Sequence, residues 1–127
     1  MKRIYKSFGH SLQGITHAFG TERNLQLFTP AFLAVLICGL FVGLLTWEWL
    51  ALIMMGTVFL SIELLNTALE RLTDILDDQR KVMGGARYHT MLKAAKDVAA
   101  GASLISLIGV IVVICIIFFP YAKLYIG

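Results

Sequence analysis

Acidic and amide side chains interrupt an otherwise apolar stretch near the middle of the chain. They are Glu63, Asn66, Thr67, Glu70 and Asp74. At ~100° per residue, the three acidic residues and Thr67 fall within about 60° of one another on one helical face, which Asn66 flanks. Carboxylates grouped in this way suit Mg²⁺, which takes oxygen ligands and keeps several waters. Glu63 is the deepest of them in the apolar stretch, and its position suits a general base for a hydroxyl group.

The apolar surroundings make these carboxylates costly. Glu63 lies roughly 12 Å inward of Arg71 at ~1.5 Å per helical residue, and a charged residue at the middle of a membrane span costs about 2.5–3.5 kcal/mol on insertion scales. We therefore interpret the stripe as a functional site. Polar residues in membrane helices also join neighbouring helices, and for Asn66 or Thr67 alone that is the simpler interpretation.

Composition indicates that the bilayer is the solvent for this chain. Hydrophobic residues make up 58% of its 127 residues and charged residues 15%, which is too apolar for a soluble domain of this size. We predict one all-α membrane domain over residues 1–127, with transmembrane helices at 27–46, 49–72 and 98–121, each reaching the ~20 residues that a span requires. The first two must be antiparallel because their connection is so short, and Trp47 and Trp49 fit an interfacial aromatic belt.

Residues 1–24 form an amphipathic segment. Its apolar residues recur at helical spacing, namely Ile4, Phe8, Leu12, Ile15 and Phe19. Basic and polar residues take the other side, so the segment predicts a helix lying in the membrane interface. A soluble helix packed on a partner is the alternative.

Basic residues predict the orientation. Four of them precede the first span and six lie at positions 71–96, whereas the short hairpin has none and the C-terminus has only Lys123. The positive-inside rule then places the N-terminus and residues 73–96, which comprise a loop with a flexible polar part at 77–87 and the start of the third helix, in the cytoplasm. The same rule predicts that the C-terminus lies on the outer side of the membrane, and we expect no secretory signal peptide.

A second polar group, Lys93, Lys96 and Asp97, opens the third span, and Glu22 ends the interfacial helix. Taken alone, the lysines fit interfacial anchors and Glu22 a solvated helix end. Soluble nucleotide signatures are absent, and the histidines show no zinc-ligand spacing. An ion carrier or a structural oligomerisation protein remains possible, although Trp49–Leu60 offers no polar path apart from Thr57, and oligomerisation leaves the aligned carboxylates unexplained.

Three segments resemble the prokaryotic diacylglycerol kinase and undecaprenol kinase family. Residues 63–74 (ELLNTALERLTD) closely resemble its signature, residues 96–102 (KDVAAGA) its second motif and residues 14–24 (GITHAFGTERN) its N-terminal segment. The resemblance covers nearly the whole chain in the right order. It implies an interfacial helix and three spans in a homotrimer with shared active sites.

The resemblance also implies a reaction and a role for each residue. The enzyme would phosphorylate a lipid alcohol with ATP, with Glu63 as the base and with Glu22 and Glu70 binding Mg²⁺. Nucleotide-binding positions would be Arg3, His10, Glu22, Asn66, Glu70, Tyr88, His89, Lys96 and Asp97, supported by Thr67 and Asp74. Residues 14–24 and 96–102 look more like the undecaprenol than the diacylglycerol branch. No nucleic-acid partner is expected.

Overall fold

The structure, a computed structural model, describes residues 1–83 and 86–127, and the side chains of residues 1–82 and 89–127. These ranges form four α-helices: α1 (Lys2–Thr21), α2 (Arg23–Val42), α3 (Thr46–Met83) and α4 (Ala86–Ile126). Three of them contain segments long and apolar enough to cross a membrane, at Arg23–Val42, Thr46–Val82 and His89–Ile126. The all-helical fold with three spans is thereby confirmed.

The first helix ends at a sharp break that places Glu22. Glu22 has an extended backbone (φ −97°, ψ 116°), and α2 begins at the next residue. The Gln26 side chain donates to the carbonyl oxygens of Phe19 and Gly20, at 3.2 and 3.1 Å, and so satisfies carbonyls that the end of α1 leaves free. The helix that corresponds to the span predicted at 27–46 begins and ends about one turn earlier, at Arg23 and Val42, and it contains Pro30.

The turn between α2 and α3 is held by Glu48. Gly43 ends α2 with φ +75°, a conformation that favours glycine. Glu48 is only 5% exposed, and its Oε2 accepts hydrogen bonds from the Leu45 N–H and the Tyr121 hydroxyl, both at 2.7 Å. Because Tyr121 belongs to α4, this carboxylate connects α3 and α4 to the turn that follows α2, at one end of the molecule.

The prediction of a loop within residues 73–96 is wrong for the part of that loop which the structure describes. α3 continues to Met83 and α4 starts at Ala86, so residues 77–83 are helical rather than a flexible loop. Ion pairs at helical spacing support this extension: Asp77 contacts Arg80 at 2.9 Å, and Lys81 contacts Asp77 and Asp78 at 3.7 and 3.6 Å. A polar composition is typical of a solvated helix as well as of a loop.

The long helices position the candidate site. With 38 residues, α3 is about 57 Å long at 1.5 Å per residue, far more than the ~30 Å of bilayer hydrocarbon. Its polar end therefore projects beyond the membrane together with the start of α4. Leu44, Leu52 and Ile117 form a core near the opposite end, and Phe28 of α2 packs on Phe59 of α3 with ring centroids 4.1 Å apart.

Candidate active site

Glu63 is the centre of the site. It is 1% exposed, and each of its carboxylate oxygens accepts a hydrogen bond from a different helix. The Asn24 amide of α2 donates to Oε1 at 3.0 Å, and the Ser103 hydroxyl of α4 donates to Oε2. A buried carboxylate is costly unless such donors satisfy it. Glu63 therefore marks the point where the three spanning helices meet.

A groove of about 440 Å³ lies beside Glu63 between α2, α3 and α4. Four polar residues line it, namely Asn24, Glu63, Asn66 and Ser103. Its remaining lining is apolar and consists of Leu27, Phe28, Ala31, Phe59, Ala100, Leu104 and Leu107. An apolar groove with a few convergent polar groups is the usual form of a ligand site. This groove can accept an apolar chain whose polar end faces the carboxylate.

Thr67 lies one turn beyond Glu63 on α3 and is 3% exposed. Its hydroxyl has no hydrogen-bond partner among the described residues. Buried hydroxyls are normally satisfied, so an unpaired one is unusual. The sequence placed Thr67 on the carboxylate face, and its burial between Glu63 and the polar end of α3 agrees with that placement.

Glu22 is held against α3 by Arg71. The Arg71 guanidinium lies 3.4 Å from Glu22 Oε1 and donates to the Thr21 hydroxyl at 2.6 Å. Because Arg71 directly follows Glu70, the break between α1 and α2 lies at the turn of α3 that carries Glu70. The two carboxylates predicted to share a metal are therefore placed on neighbouring elements of one chain.

The projecting ends of α3 and α4 carry the second group of predicted residues. Lys96 donates to Asp74 Oδ1 at 2.7 Å. That hydrogen bond, together with the nearby charges of Asp74, Glu70 and Asp77, raises the pKa of Lys96. Lys93 pairs with Asp97 at 2.9 Å on the same face of α4. Lys96 is therefore positively charged at neutral pH, and it lies beside the acidic residues at the polar end of α3.

A smaller cavity of about 180 Å³ lies between these two helix ends. His89 and Asp77 line it, with His89 Nδ1 3.4 Å from Asp77 Oδ1. Hydrogen bonds from Arg80 and His89 hold the pKa of Asp77 below its usual value, so this carboxylate is ionised at neutral pH. The structure therefore joins His89 to the group containing Asp74, Lys96 and Asp97.

The remaining predicted positions are not joined to this cluster. Arg3 and His10 lie along one face of α1 beside Ser7 and Ser11. Across the described side chains, neither forms a hydrogen bond or an ion pair with the residues around Glu63. The side chain of Tyr88 lies outside the described residues.

Three residues of the site, namely Asn24, Ser103 and Arg71, had no chemical role assigned from the sequence. Asn24 is the last residue of the family-like segment 14–24, but nothing in its type alone indicates that it contacts Glu63. Ser103 lies within the apolar third span, three residues before Ser106, which is not part of the site. That spacing places both hydroxyls on one helical face and is the available signal. From the sequence, Arg71 indicates only the orientation of the chain and the depth of Glu63.

The acidic residues fit a metal that is held mainly by its substrate. Within residues 1–83 and 86–127, no group of three or more His, Cys, Asp or Glu side chains is arranged to hold a metal ion. Mg²⁺ in phosphoryl-transfer sites is bound by one or two carboxylates together with substrate phosphates and waters. Glu22 and Glu70 match that donor set.

Comparisons with known proteins identify the class to which this fold and site belong. Residues 9–118 match the family model for prokaryotic diacylglycerol kinase. The chain therefore belongs to this family, as its motifs predicted, and it is a lipid kinase. Its three long apolar helices, together with its membership of a prokaryotic lipid kinase family, fit a bacterial inner-membrane protein.

Individual relatives carry two different lipid names. The chain is 38% identical to an undecaprenol kinase of Bacillus subtilis over 120 residues, covering 94% of this chain and 91% of the relative. It is 34% identical to a diacylglycerol kinase of Synechocystis over 84% of this chain and 57% of that protein. A diacylglycerol kinase of Helicobacter pylori is 31% identical over 84% of this chain and 77% of the relative.

Proposed function

We propose that the protein transfers the terminal phosphoryl group of ATP to the hydroxyl of a membrane lipid alcohol, with Glu63 as the general base. The observation that carries this proposal is the position of Glu63, a buried carboxylate on the wall of an apolar groove. A lipid chain would occupy the groove, and its hydroxyl would meet the carboxylate. Kinases in general need a nucleotide and a divalent metal.

The proposed reaction uses few groups. Glu63 accepts the hydroxyl proton while the lipid oxygen forms a bond to the terminal phosphorus, and the bond from that phosphorus to the ADP oxygen breaks. Glu22 and Glu70 would hold Mg²⁺, which supplies charge neutralisation at the phosphates. Phosphoryl transfer asks mainly for positioning and for this neutralisation. A compact site at the membrane surface can provide both without a soluble kinase fold.

The phosphates would lie at the projecting ends of α3 and α4. Lys96 is already charged there, and a phosphate could replace Asp74 as its partner. Asn66 lines the groove beside Glu63 and would bridge the lipid and phosphate ends of the site. By resemblance, Arg3, His10, Tyr88, His89 and Asp97 would contact the nucleotide.

We propose undecaprenol as the acceptor, with diacylglycerol as the second candidate. Support comes from the motif resemblance and from the Bacillus subtilis undecaprenol kinase, which aligns with nearly the full length of both chains. Both lipids have a single hydroxyl on a long apolar body. Either could leave its tail in the bilayer while the hydroxyl reaches Glu63.

The membrane setting is part of the proposal. α1 would lie in the interface, because Ile4, Phe8 and Leu12 form an exposed apolar stripe. The N-terminus and the projecting ends of α3 and α4 would face the cytoplasm, where ATP is available, and the C-terminus would face outside. The working unit would be a homotrimer with shared active sites.

A phosphotransfer assay with lipid alcohols tests this function. The purified protein in mixed micelles is given radiolabelled ATP, Mg²⁺ and either undecaprenol or diacylglycerol at equal mole fraction. We expect transfer to both, with the higher kcat/KM for undecaprenol. A preference for diacylglycerol would overturn the lipid assignment alone, whereas transfer to neither would contradict the proposed function.

A further inference from the structure

The Glu63 carboxylate is the only side chain in the described part of the chain that accepts hydrogen bonds from both α2 and α4. Asn24 and Ser103 provide these bonds, one to each carboxylate oxygen. Neither donor belongs to the helix that carries Glu63. The orientation of the carboxylate is therefore fixed by two elements that also form the walls of the groove.

We propose that Asn24 and Ser103 are positioning residues, which hold the Glu63 carboxylate in the orientation that faces the lipid hydroxyl. The proposal rests on the proposed function, in which Glu63 is the base. A glutamate side chain has three rotatable bonds, and in an apolar groove its carboxylate would otherwise turn toward whichever donor it could reach. Each oxygen that accepts one hydrogen bond still has a second lone pair for the substrate hydroxyl.

Ser103 has a natural control in its neighbour Ser106. Ser106 lies three residues further along α4 and is buried to a similar degree. Its hydroxyl donates to the Ser103 carbonyl oxygen at 2.7 Å, so it does not orient Glu63. The two serines therefore match in type, burial and helix, and they differ in whether they contact the carboxylate.

The first test compares alanine substitutions at these two serines. We expect Ser103→Ala to lower kcat about tenfold or more, as is typical for the loss of a hydrogen bond to a charged group. The KM values for lipid and for ATP should stay within about twofold, since the lost hydroxyl donates to Glu63 and not to a substrate. Ser106→Ala should keep near-normal kcat, and Ser103→Thr, which retains the hydroxyl, should recover most of the loss.

A second test separates positioning from a general effect on packing. If Ser103 acts through Glu63, then Ser103→Ala should cause no further fall when it is added to Glu63→Gln. A substitution that merely loosens the helices would lower the residual rate of Glu63→Gln by the same factor as it lowers the unsubstituted enzyme. That outcome, or a normal kcat for Ser103→Ala, would overturn the role of Ser103.

Asn24 provides an independent variant should Ser103→Ala not assemble. Asn24→Asp keeps the shape of an exposed side chain but replaces the donating amide with an acceptor, so it should lower kcat as Ser103→Ala does. The outcomes also separate the two proposals. If Glu63→Gln is fully active, the proposal that Glu63 is the base is contradicted. If Glu63→Gln is inactive while Ser103→Ala and Asn24→Asp are active, only the positioning role of Asn24 and Ser103 is contradicted.

Discussion

At the scale of single residues, the acidic side chains of α3 differ in what surrounds them. Glu63 is buried and bonded by two neutral donors, Glu70 is exposed, and Asp74 is paired with Lys96. One helical face thus runs from a neutral, apolar environment to a charged one. That gradient suits a reaction that joins an apolar acceptor to a charged donor.

Glu22 and Glu70 lead to a prediction about the metal. Glu22→Gln and Glu70→Gln should each lower activity and raise the Mg²⁺ concentration needed for half-maximal rate, because each removes a charged oxygen ligand. Asp78→Asn is the control, since Asp78 is a strongly exposed carboxylate whose ion pair is with Lys81. Mg²⁺ titrations of the three variants make the measurement, and unchanged midpoints for both glutamate variants would contradict the metal assignment.

At the scale of residues, the carboxylate face of α3 could be predicted from the sequence, but the hydrogen-bond partners of Glu63 could not. Helical spacing is sufficient to align Glu63, Thr67 and Glu70, because all lie on one helix. The hydrogen bonds of Glu63 join positions 39 and 40 residues away. Such contacts depend on how three helices pack, which no local pattern encodes.

At the scale of elements, the structure differs most from the sequence prediction at the polar ends of α3 and α4, which are helical where a loop was expected. The spans were found because apolar length is a strong signal. The sequence predicts a loop at 77–87 because this segment is polar, although Asp77 and Asp78 lie at helical spacing from Arg80 and Lys81. The pKa of Asp77 is lowered, so its pairs persist at neutral pH and are lost only as the pH falls through that lowered value.

The opposite ends of these helices lead to a prediction about stability. Tyr121→Phe removes the hydrogen bond to the buried Glu48 and should cost about 1–3 kcal/mol, while kcat changes little because the site lies at the other end of α3. Thermal unfolding in detergent and a phosphotransfer assay make the measurement. Tyr125→Phe is the control, since Tyr125 is 78% exposed. Equal Tm values for the two variants would show that the Glu48 bond does not hold the helices together.

At the scale of the whole molecule, one chain holds only part of the proposed site together. Glu22, Glu63 and Lys96 each contact other site residues within the chain, whereas Arg3 and His10 lie apart on α1. The apolar stripe of α1 and many apolar residues of the spans remain exposed. A trimer in which α1 packs on a neighbouring subunit and contributes to its active site would account for the separation of Arg3 and His10 and for the exposed apolar surface.

Mixed subunits test this sharing. Arg3→Ala and Glu63→Gln should each lower activity, and trimers assembled from both should recover part of it, because some sites then contain both native groups. Mixing Glu63→Gln with Glu70→Gln is the control and should recover none, since both residues lie on α3 of one chain. Equal recovery in the two mixtures, or none in the first, would count against sites shared through α1.

The central claim is that the Glu63 carboxylate takes the proton from the lipid hydroxyl. Glu63→Gln keeps the shape and the acceptor oxygen but removes the base, so kcat should fall about 10²–10⁴-fold. Glu48→Gln is the matched control, because Glu48 is a second buried carboxylate of α3 that lies far from the groove. The measurement is the kcat of both variants in the same micelles, with assembly checked by gel filtration. A large loss for Glu63→Gln alone is the predicted result, and near-normal turnover in a correctly assembled Glu63→Gln would contradict the account.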